Sequence, residues 1–126
     1  MKKIFLLMGL MIGLMSFSPQ NDPAAIANAL KTADGDRVSA FFDDYVDIKL
    51  LEKPEVKNMG RNQAAITLKT FFSENGIKGF ETTSQREMSG TMYLTGKLVN
   101  SAKGYNITIM MKAKDGKWQI ITLRIS

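Results

Sequence analysis

The fold is decided by residues 91–125, which read TMYLTGKLV, NSAKG, YNITIMMKAK, DG and KWQIITLRI in five consecutive blocks. In the first and third blocks apolar residues alternate with polar ones, which is typical of β-strands that bury one face. The second block, residues 100–104, predicts a five-residue hairpin loop, and Asp115-Gly116 is a strong signal for a two-residue hairpin. The three strands are therefore predicted to form an antiparallel meander.

The last of these strands changes phase along its length. Trp118 and Ile120 belong to one alternating set, whereas Ile121, Leu123 and Ile125 belong to the other. Two explanations stay open, namely a β-bulge near Ile121 or a strand that is covered on both faces. A sheet that bends around a helix would produce this pattern.

The chain before the meander supplies short helices and further strands. Pro23 can open a helix that Asp22 caps, and Asp36 can cap a second short helix. Phe41 and Phe42 would belong to the apolar side of that second helix. The strictly alternating residues 45–50 predict a strand. Lys53-Pro54-Glu55 then predicts a turn, and Val56 is expected to begin a short returning strand.

The longest helix is predicted for residues 61–75, with Ala65, Leu68 and Phe72 on its apolar stripe and Ala64 and Phe71 beside it. A polar strand rich in Thr and Ser precedes the three strands of residues 91–125, which makes four strands in the predicted meander. This order of elements predicts an α+β domain whose helices pack on one face of an antiparallel sheet.

Three segments resemble a known family: residues 41–48 (FFDDYVDI), residues 64–72 (AAITLKTFF) and residues 116–125 (GKWQIITLRI). Over residues 22–126 the chain resembles small exported bacterial proteins that are known only as a domain of unknown function. The resemblance implies a nuclear transport factor 2-like, or cystatin-like, cone, in which helices pack in the concave face of a curved antiparallel sheet. It supplies no catalytic residue, and the wider fold includes isomerases, dehydratases, hydrolases and binding or dimerisation modules.

Residues 1–18 have the features of a signal peptide. Lys2 and Lys3 precede an uncharged apolar run at residues 4–15, which is too short for a typical membrane-spanning helix. We therefore expect an exported protein, periplasmic or secreted, with no integral membrane span after processing and a single domain at residues 22–126. Pro19 disfavours cleavage directly before it, so the cleavage position stays open, as does an uncleaved N-terminal anchor.

Composition excludes several kinds of chemistry. The 126 residues contain no histidine and no cysteine, which removes Ser–His triads, imidazole ligands, thiol nucleophiles, disulfides and iron–sulfur clusters. Without the first eighteen residues, 15 basic and 12 acidic side chains remain, a net charge of only +3. We expect no nucleic-acid partner, no cofactor and no metal site.

The candidate ligand-binding residues are large side chains that could line a cavity inside the cone. Packing of the core explains the same residues without a ligand. The candidates are Phe42, Tyr45, Phe72, Tyr93 and Met111.

The acidic group formed by Asp43, Asp44 and Asp47 admits a functional interpretation, as a general base or calcium ligands, and a simpler one, as a solvated junction. The loop pattern of calcium sites is missing, which favours the junction. Arg124 could mark an anion site or pair with Glu81 or Glu87 on a neighbouring strand.

Lysines gather on the terminal hairpins, where they could meet anionic lipid or polysaccharide or keep exposed strands from aggregating. We favour the second interpretation. The residues are Lys97, Lys103, Lys112, Lys114 and Lys117.

We expect a non-enzymatic exported module that binds a small apolar or amphipathic ligand or a protein partner. The alternative is an acid–base enzyme of the isomerase, dehydratase or hydrolase type that uses Asp or Glu with a tyrosine. We also expect a weak homodimer through the outer face of the sheet near Ile121, with a monomer as the alternative.

Overall fold

A computed structural model describes residues 23–126 of the chain. The signal peptide predicted for residues 1–18 and the cap predicted at Asp22 lie outside the described residues. Within residues 23–126 no helix has the length and apolar character needed to cross a membrane. The elements are α1 (Pro23–Lys31), α2 (Gly35–Ser39), β1 (Phe42–Leu50), β2 (Val56–Gly60), α3 (Arg61–Glu74), β3 (Gly79–Met88), β4 (Thr91–Val99), β5 (Gly104–Lys114) and β6 (Lys117–Ile125).

The strands form one six-stranded sheet in the order β2-β1-β6-β5-β4-β3. Strands β3 to β6 are the predicted meander, and β2 pairs antiparallel with β1. The sheet is not wholly antiparallel, because β1 and β6 pair in parallel, with Ile48 beside Leu123. Local alternation specifies each strand but carries no information about which strand the last one joins, so this pair was not expected.

The sheet contains a two-residue turn at Ser89-Gly90 and the predicted one at Asp115-Gly116. Ser89 and Gly90 have φ angles of 47° and 80°, and Asp115 and Gly116 have 53° and 76°. Positive φ at both central residues matches the right-handed twist of the strands that such a turn joins. The turns therefore fix the register of β3 with β4 and of β5 with β6.

The phase change in β6 is a β-bulge. Met110 pairs with Thr122 while Met111 pairs with Ile120, so Ile121 is left without a partner on β5. One extra residue switches the face to which the rest of the strand points. This confirms one of the two explanations for the sequence pattern.

The sheet curves sharply where β3 and β4 meet. A Cβ atom on Gly96 would lie 2.3 Å from the carbonyl oxygen of Glu81 and 2.5 Å from Cε1 of Phe80. The register of the two strands also shifts between Thr82 and Ser84. Glycine at position 96 therefore permits a backbone approach that no other residue allows.

Helix α3 covers the concave face much as predicted, but its buried stripe is slightly rotated. Ala64, Leu68, Phe71 and Phe72 are buried, whereas Ala65 is only half-buried. The helix gives way to a left-handed Gly76, at φ +58°, as expected of a helix C-terminus. The inner faces of the strands complete a single core with these residues.

Two local predictions near α2 are wrong. The cap of α2 is Asp34 rather than Asp36, because the Asp34 carboxylate accepts a hydrogen bond from the backbone N–H of Asp36 at 3.0 Å. Phe42 does not belong to this helix but begins β1, opposite Ile120 of β6. Pairing with β6 draws the chain into an extended conformation three residues earlier than alternation alone indicates.

Candidate functional site

The candidate site lies around the loop at residues 51–55, here called the arm, which joins β1 to β2. Leu51 takes a left-handed φ of 52°, and its N–H donates to the carbonyl oxygen of Ile125 at 2.7 Å. The N–H of Lys53 donates to the carbonyl oxygen of Leu50 at 3.1 Å, closing a tight turn. A left-handed branched residue is uncommon, and these bonds to neighbouring strands hold it in place.

An ion pair fixes the far end of the arm. Arg124 Nη2 lies 3.1 Å from Glu55 Oε1, and Lys49 Nζ donates to the carbonyl oxygen of Leu51. The predicted pairing of Arg124 with Glu81 or Glu87 is therefore wrong. Both glutamates lie on β3, at the opposite edge of the sheet, whereas the parallel pairing with β1 brings Arg124 close to the arm.

An apolar groove of about 310 Å³, here called the arm groove, lies between the arm, the inner faces of β1 and β2, and α3. The Thr67 hydroxyl, 3.5 Å from Met59 Sδ, ties α3 to β2 at its side. The lining residues are Ile48, Leu50, Lys53, Pro54, Val56, Met59 and Thr67.

A second bulge gives the arm groove its apolar wall. Val56 pairs with Ile48, and Met59 pairs with Val46, with a register shift between the two pairs. Residues three apart on a regular strand point to opposite faces, but here Val56 and Met59 face the same side. Asn58 takes the left-handed φ of 55° that the bulge needs.

The apolar wall remains accessible. Val56 is 47% exposed, and Leu50 and Met59 are half-buried, whereas Ile48 on the same sheet face is fully buried. A concave surface lined by part-exposed aliphatic side chains can hold the apolar part of a ligand.

A larger depression, here called the mouth pocket, lies on the other side of the arm and measures about 870 Å³. Lys103 Nζ sits 4.9 Å from the ring centroid of Tyr105, and the Tyr105 hydroxyl donates to Asn75 Oδ1 at 3.1 Å. Its walls carry charges of both signs, and polar atoms make up a larger share of their surface than in the arm groove. The lining residues are Leu51, Glu52, Lys53, Pro54, Lys103, Gly104, Tyr105 and Ser126.

The five predicted cavity residues lie in different parts of the structure. Phe42, Phe72 and Met111 are buried in the core, and Tyr93 is half-buried in the sheet. Tyr45 is 63% exposed and lines a shallow depression near the start of α3, whereas Phe72 lines a different one between α2 and α3. The sheet register does not bring the five around one space, and a role for them in ligand binding stays a prediction.

Sequence reasoning missed the residues of the arm groove. Val56 was expected only to start a strand, and the lysine and proline of the arm only to turn the chain. The signal that could have found the wall is the spacing of Val56 and Met59 around Asn58, a residue type that tolerates left-handed backbone. That spacing places both on one face only if a bulge intervenes.

The acidic group near the start of β1 is a charged junction between elements. Asp44 Oδ1 lies 2.8 Å from Arg61 Nη2 of α3, and Asp43 Oδ1 lies 3.3 Å from Lys114 Nζ of β5. Asp47 accepts a hydrogen bond from the N–H of Asn58 at 2.8 Å. Among the described residues, no group of three carboxylates gathers as it would around a metal ion.

The electrostatics of Asp43 oppose a general-base role. The N–H of Asp44 donates to the Asp43 carboxylate at 2.8 Å, and this bond, helped by Lys114 and Arg61, holds the pKa of Asp43 below its ordinary value against the opposing effect of burial. A carboxylate base working near neutral pH needs its pKa raised. The structure thus favours the junction interpretation for this residue.

In residues 23–126 a curved sheet wraps around three helices, which places the molecule among the nuclear transport factor 2-like, or cystatin-like, folds. The chain belongs to the family described as a domain of unknown function, DUF4783, whose profile matches residues 23–126. No functionally curated protein matches it.

Solved structures agree with this assignment. A DUF4783 protein from Bacteroides uniformis is 20% identical, with a TM-score of 0.77 over 84% of this chain and 96% of that chain. A DUF4783 protein from Bacteroides ovatus is 20% identical, with a TM-score of 0.74 over 84% and 94%. A nuclear transport factor 2-like protein of unknown function from Pseudomonas putida is 12% identical, with a TM-score of 0.61 over 80% and 78%. At these identities the likeness establishes the fold alone.

Proposed function

We propose that the protein is a non-catalytic module that holds a small apolar or amphipathic ligand in the arm groove. The observation that carries the proposal is the part-exposed aliphatic wall formed by Leu50, Val56 and Met59 inside a concave surface. Exposed aliphatic groups gain free energy when a ligand covers them, and ligand sites are typically concave and mainly apolar.

The dimensions of the arm groove indicate a small ligand. Its volume of about 310 Å³ lies at the lower end of the ~300–1,000 Å³ that ligand sites span. Its walls come from two paired strands and a long helix, all tied to the core. Such a site is largely formed before binding, which reduces the entropy lost when the ligand is ordered.

The acid–base alternative receives less support. It requires a carboxylate in an apolar setting beside a tyrosine hydroxyl, but no charged or polar residue of the described part is fully buried. The Tyr105 hydroxyl bonds to the amide of Asn75, not to a carboxylate. The lowered pKa of Asp43 also opposes general-base chemistry at that position.

We further propose that the protein functions outside the cytoplasm. The proposal rests on Lys2 and Lys3 followed by the apolar run at residues 4–15. N-terminal sequencing of protein recovered from the cell envelope should find a new N-terminus downstream of the apolar run at residues 4–15. An intact Met1 would rule out cleavage.

Binding of the neutral fluorophore Nile red tests the ligand proposal. Val56→Gln should weaken binding about three- to tenfold, because the ligand loses contact with an aliphatic group. Ile66→Gln is the matched control, since Ile66 is 58% exposed but does not line the arm groove. Equal affinities for the two variants would contradict the proposal.

A further inference from the structure

The lining of the arm groove contains one charged side chain and is otherwise mainly apolar. Of its seven lining residues, Lys53 alone is charged, and the others are aliphatic except for Thr67 and Pro54. Lys53 lies on the arm, at the border between the arm groove and the mouth pocket, and lines both. A ligand in the arm groove therefore meets one positive charge at one end and apolar walls elsewhere.

This positive charge is not neutralised within the described chain. The side chain of Lys53 is exposed and takes part in no ion pair there, whereas Arg124 engages the neighbouring Glu55. Glu52 lines the mouth pocket and not the arm groove. Two other lysines near the arm are engaged elsewhere, because Lys49 donates to the carbonyl oxygen of Leu51 and Lys103 lies over the ring of Tyr105.

We infer that the ligand of the arm groove is a short single-chain amphiphile with one anionic head group, such as a medium-chain carboxylate. The inference rests on the proposed function and specifies its ligand class. The chain would pack against Ile48, Leu50, Val56 and Met59 while the carboxylate points toward Lys53 Nζ. Apolar contact supplies most of the affinity, and the charge fixes the direction in which the chain lies.

The size of the site distinguishes this ligand from a membrane lipid. About 310 Å³ accommodates one short chain, not two long acyl chains. The arm also limits the length of the arm groove. Both ends of the arm are anchored to β6, one through Leu51 and the other through Glu55. The size of the arm groove therefore fits a free single-chain carboxylate and not a membrane lipid.

Calorimetric titration with octanoate, octanol and octyltrimethylammonium tests the inference. These probes share one chain length and differ in head-group charge. Octanoate should bind most tightly and octyltrimethylammonium least, and added salt should weaken only the binding of octanoate in this series. Equal or stronger binding of octyltrimethylammonium would overturn the inference.

Two lysine variants test whether Lys53 causes the preference for octanoate. Lys53→Gln should raise the Kd for octanoate about two- to fivefold, the range expected of an exposed ion pair, and leave the Kd for octanol unchanged. Lys57→Gln is the matched control, because Lys57 is an exposed lysine on β2 that does not line the arm groove and should change neither Kd.

The outcomes separate the inference from the proposed function. If octanol and octanoate both bind but Lys53→Gln affects them equally, the anionic ligand class is wrong and the apolar site stands. If none of the three probes binds, both the site and its ligand class are wrong.

Discussion

At the residue scale, the face of a helix on which a side chain lies decides its energetic role. Leu68 and Ile66 are two positions apart on α3, yet Leu68 is fully buried against the sheet and Ile66 is 58% exposed. Residue type alone gives both the same hydrophobic character, and only the helical spacing of the apolar stripe separates them. Their contribution to folding should nevertheless differ several-fold, because only buried methyl groups lose contacts and leave a cavity when removed.

Leu68→Ala is expected to lower the free energy of unfolding by about 2–5 kcal/mol. Ile66→Ala on the same helix should change it by about 0.5 kcal/mol or less, as surface substitutions usually do. Urea denaturation monitored by the fluorescence of Trp118 measures both. Similar urea midpoints for the two variants would mean that α3 presents a different face to the core.

At the element scale, the strands and helices were largely predictable because each has a local cause. β4 and β6 have the predicted bounds, and α3 ends one residue before its predicted end. The residue pairs Ser89-Gly90 and Asp115-Gly116 and the glycine after α3 indicate these bounds in the sequence, and all five take positive φ in the structure. Errors occur where pairing between distant strands overrides local preference, as for Phe42 at the start of β1.

The candidate site was much less predictable than the fold. The arm groove depends on the bulge near Asn58, on the parallel pairing of β1 with β6, and on the ion pair between Arg124 and Glu55. Each is a contact between segments far apart in sequence or an irregularity in a strand. Four aromatic side chains were candidates for a cavity wall, but Phe42 and Phe72 fill the core, because burying a large apolar ring stabilises the fold.

At the scale of the whole molecule, the helices of residues 23–126 pack on one face of the sheet, and no described helix covers the other. Side chains on the outer face alternate with the buried Met92 and Leu94, and Tyr93 lies directly opposite Met110 across β4 and β5. Ile121, the bulge residue of β6, is half-buried. The same face carries many threonines and lysines, so any association through it should be weak.

We propose a weak homodimer in which two copies meet through this outer face, related by a twofold axis. Sedimentation equilibrium over a range of concentrations should show an average mass that rises from monomer toward dimer. Ile121→Lys should abolish the rise, because each interface would then contain two additional charges without partners. Ile66→Lys places the same charge on the exposed side of α3 and should leave self-association unchanged.

Three results would decide against this dimer. A monomer mass up to high micromolar concentration would exclude self-association through any face. An Ile121→Lys variant that unfolds would show that the bulge residue belongs to the core. A lysine is tolerated on a surface that is exposed in the free subunit, but not inside the cone. Equal dissociation by Ile121→Lys and Ile66→Lys would place the interface elsewhere, since the two side chains lie on separate surfaces, one on the sheet and one on the exposed side of α3.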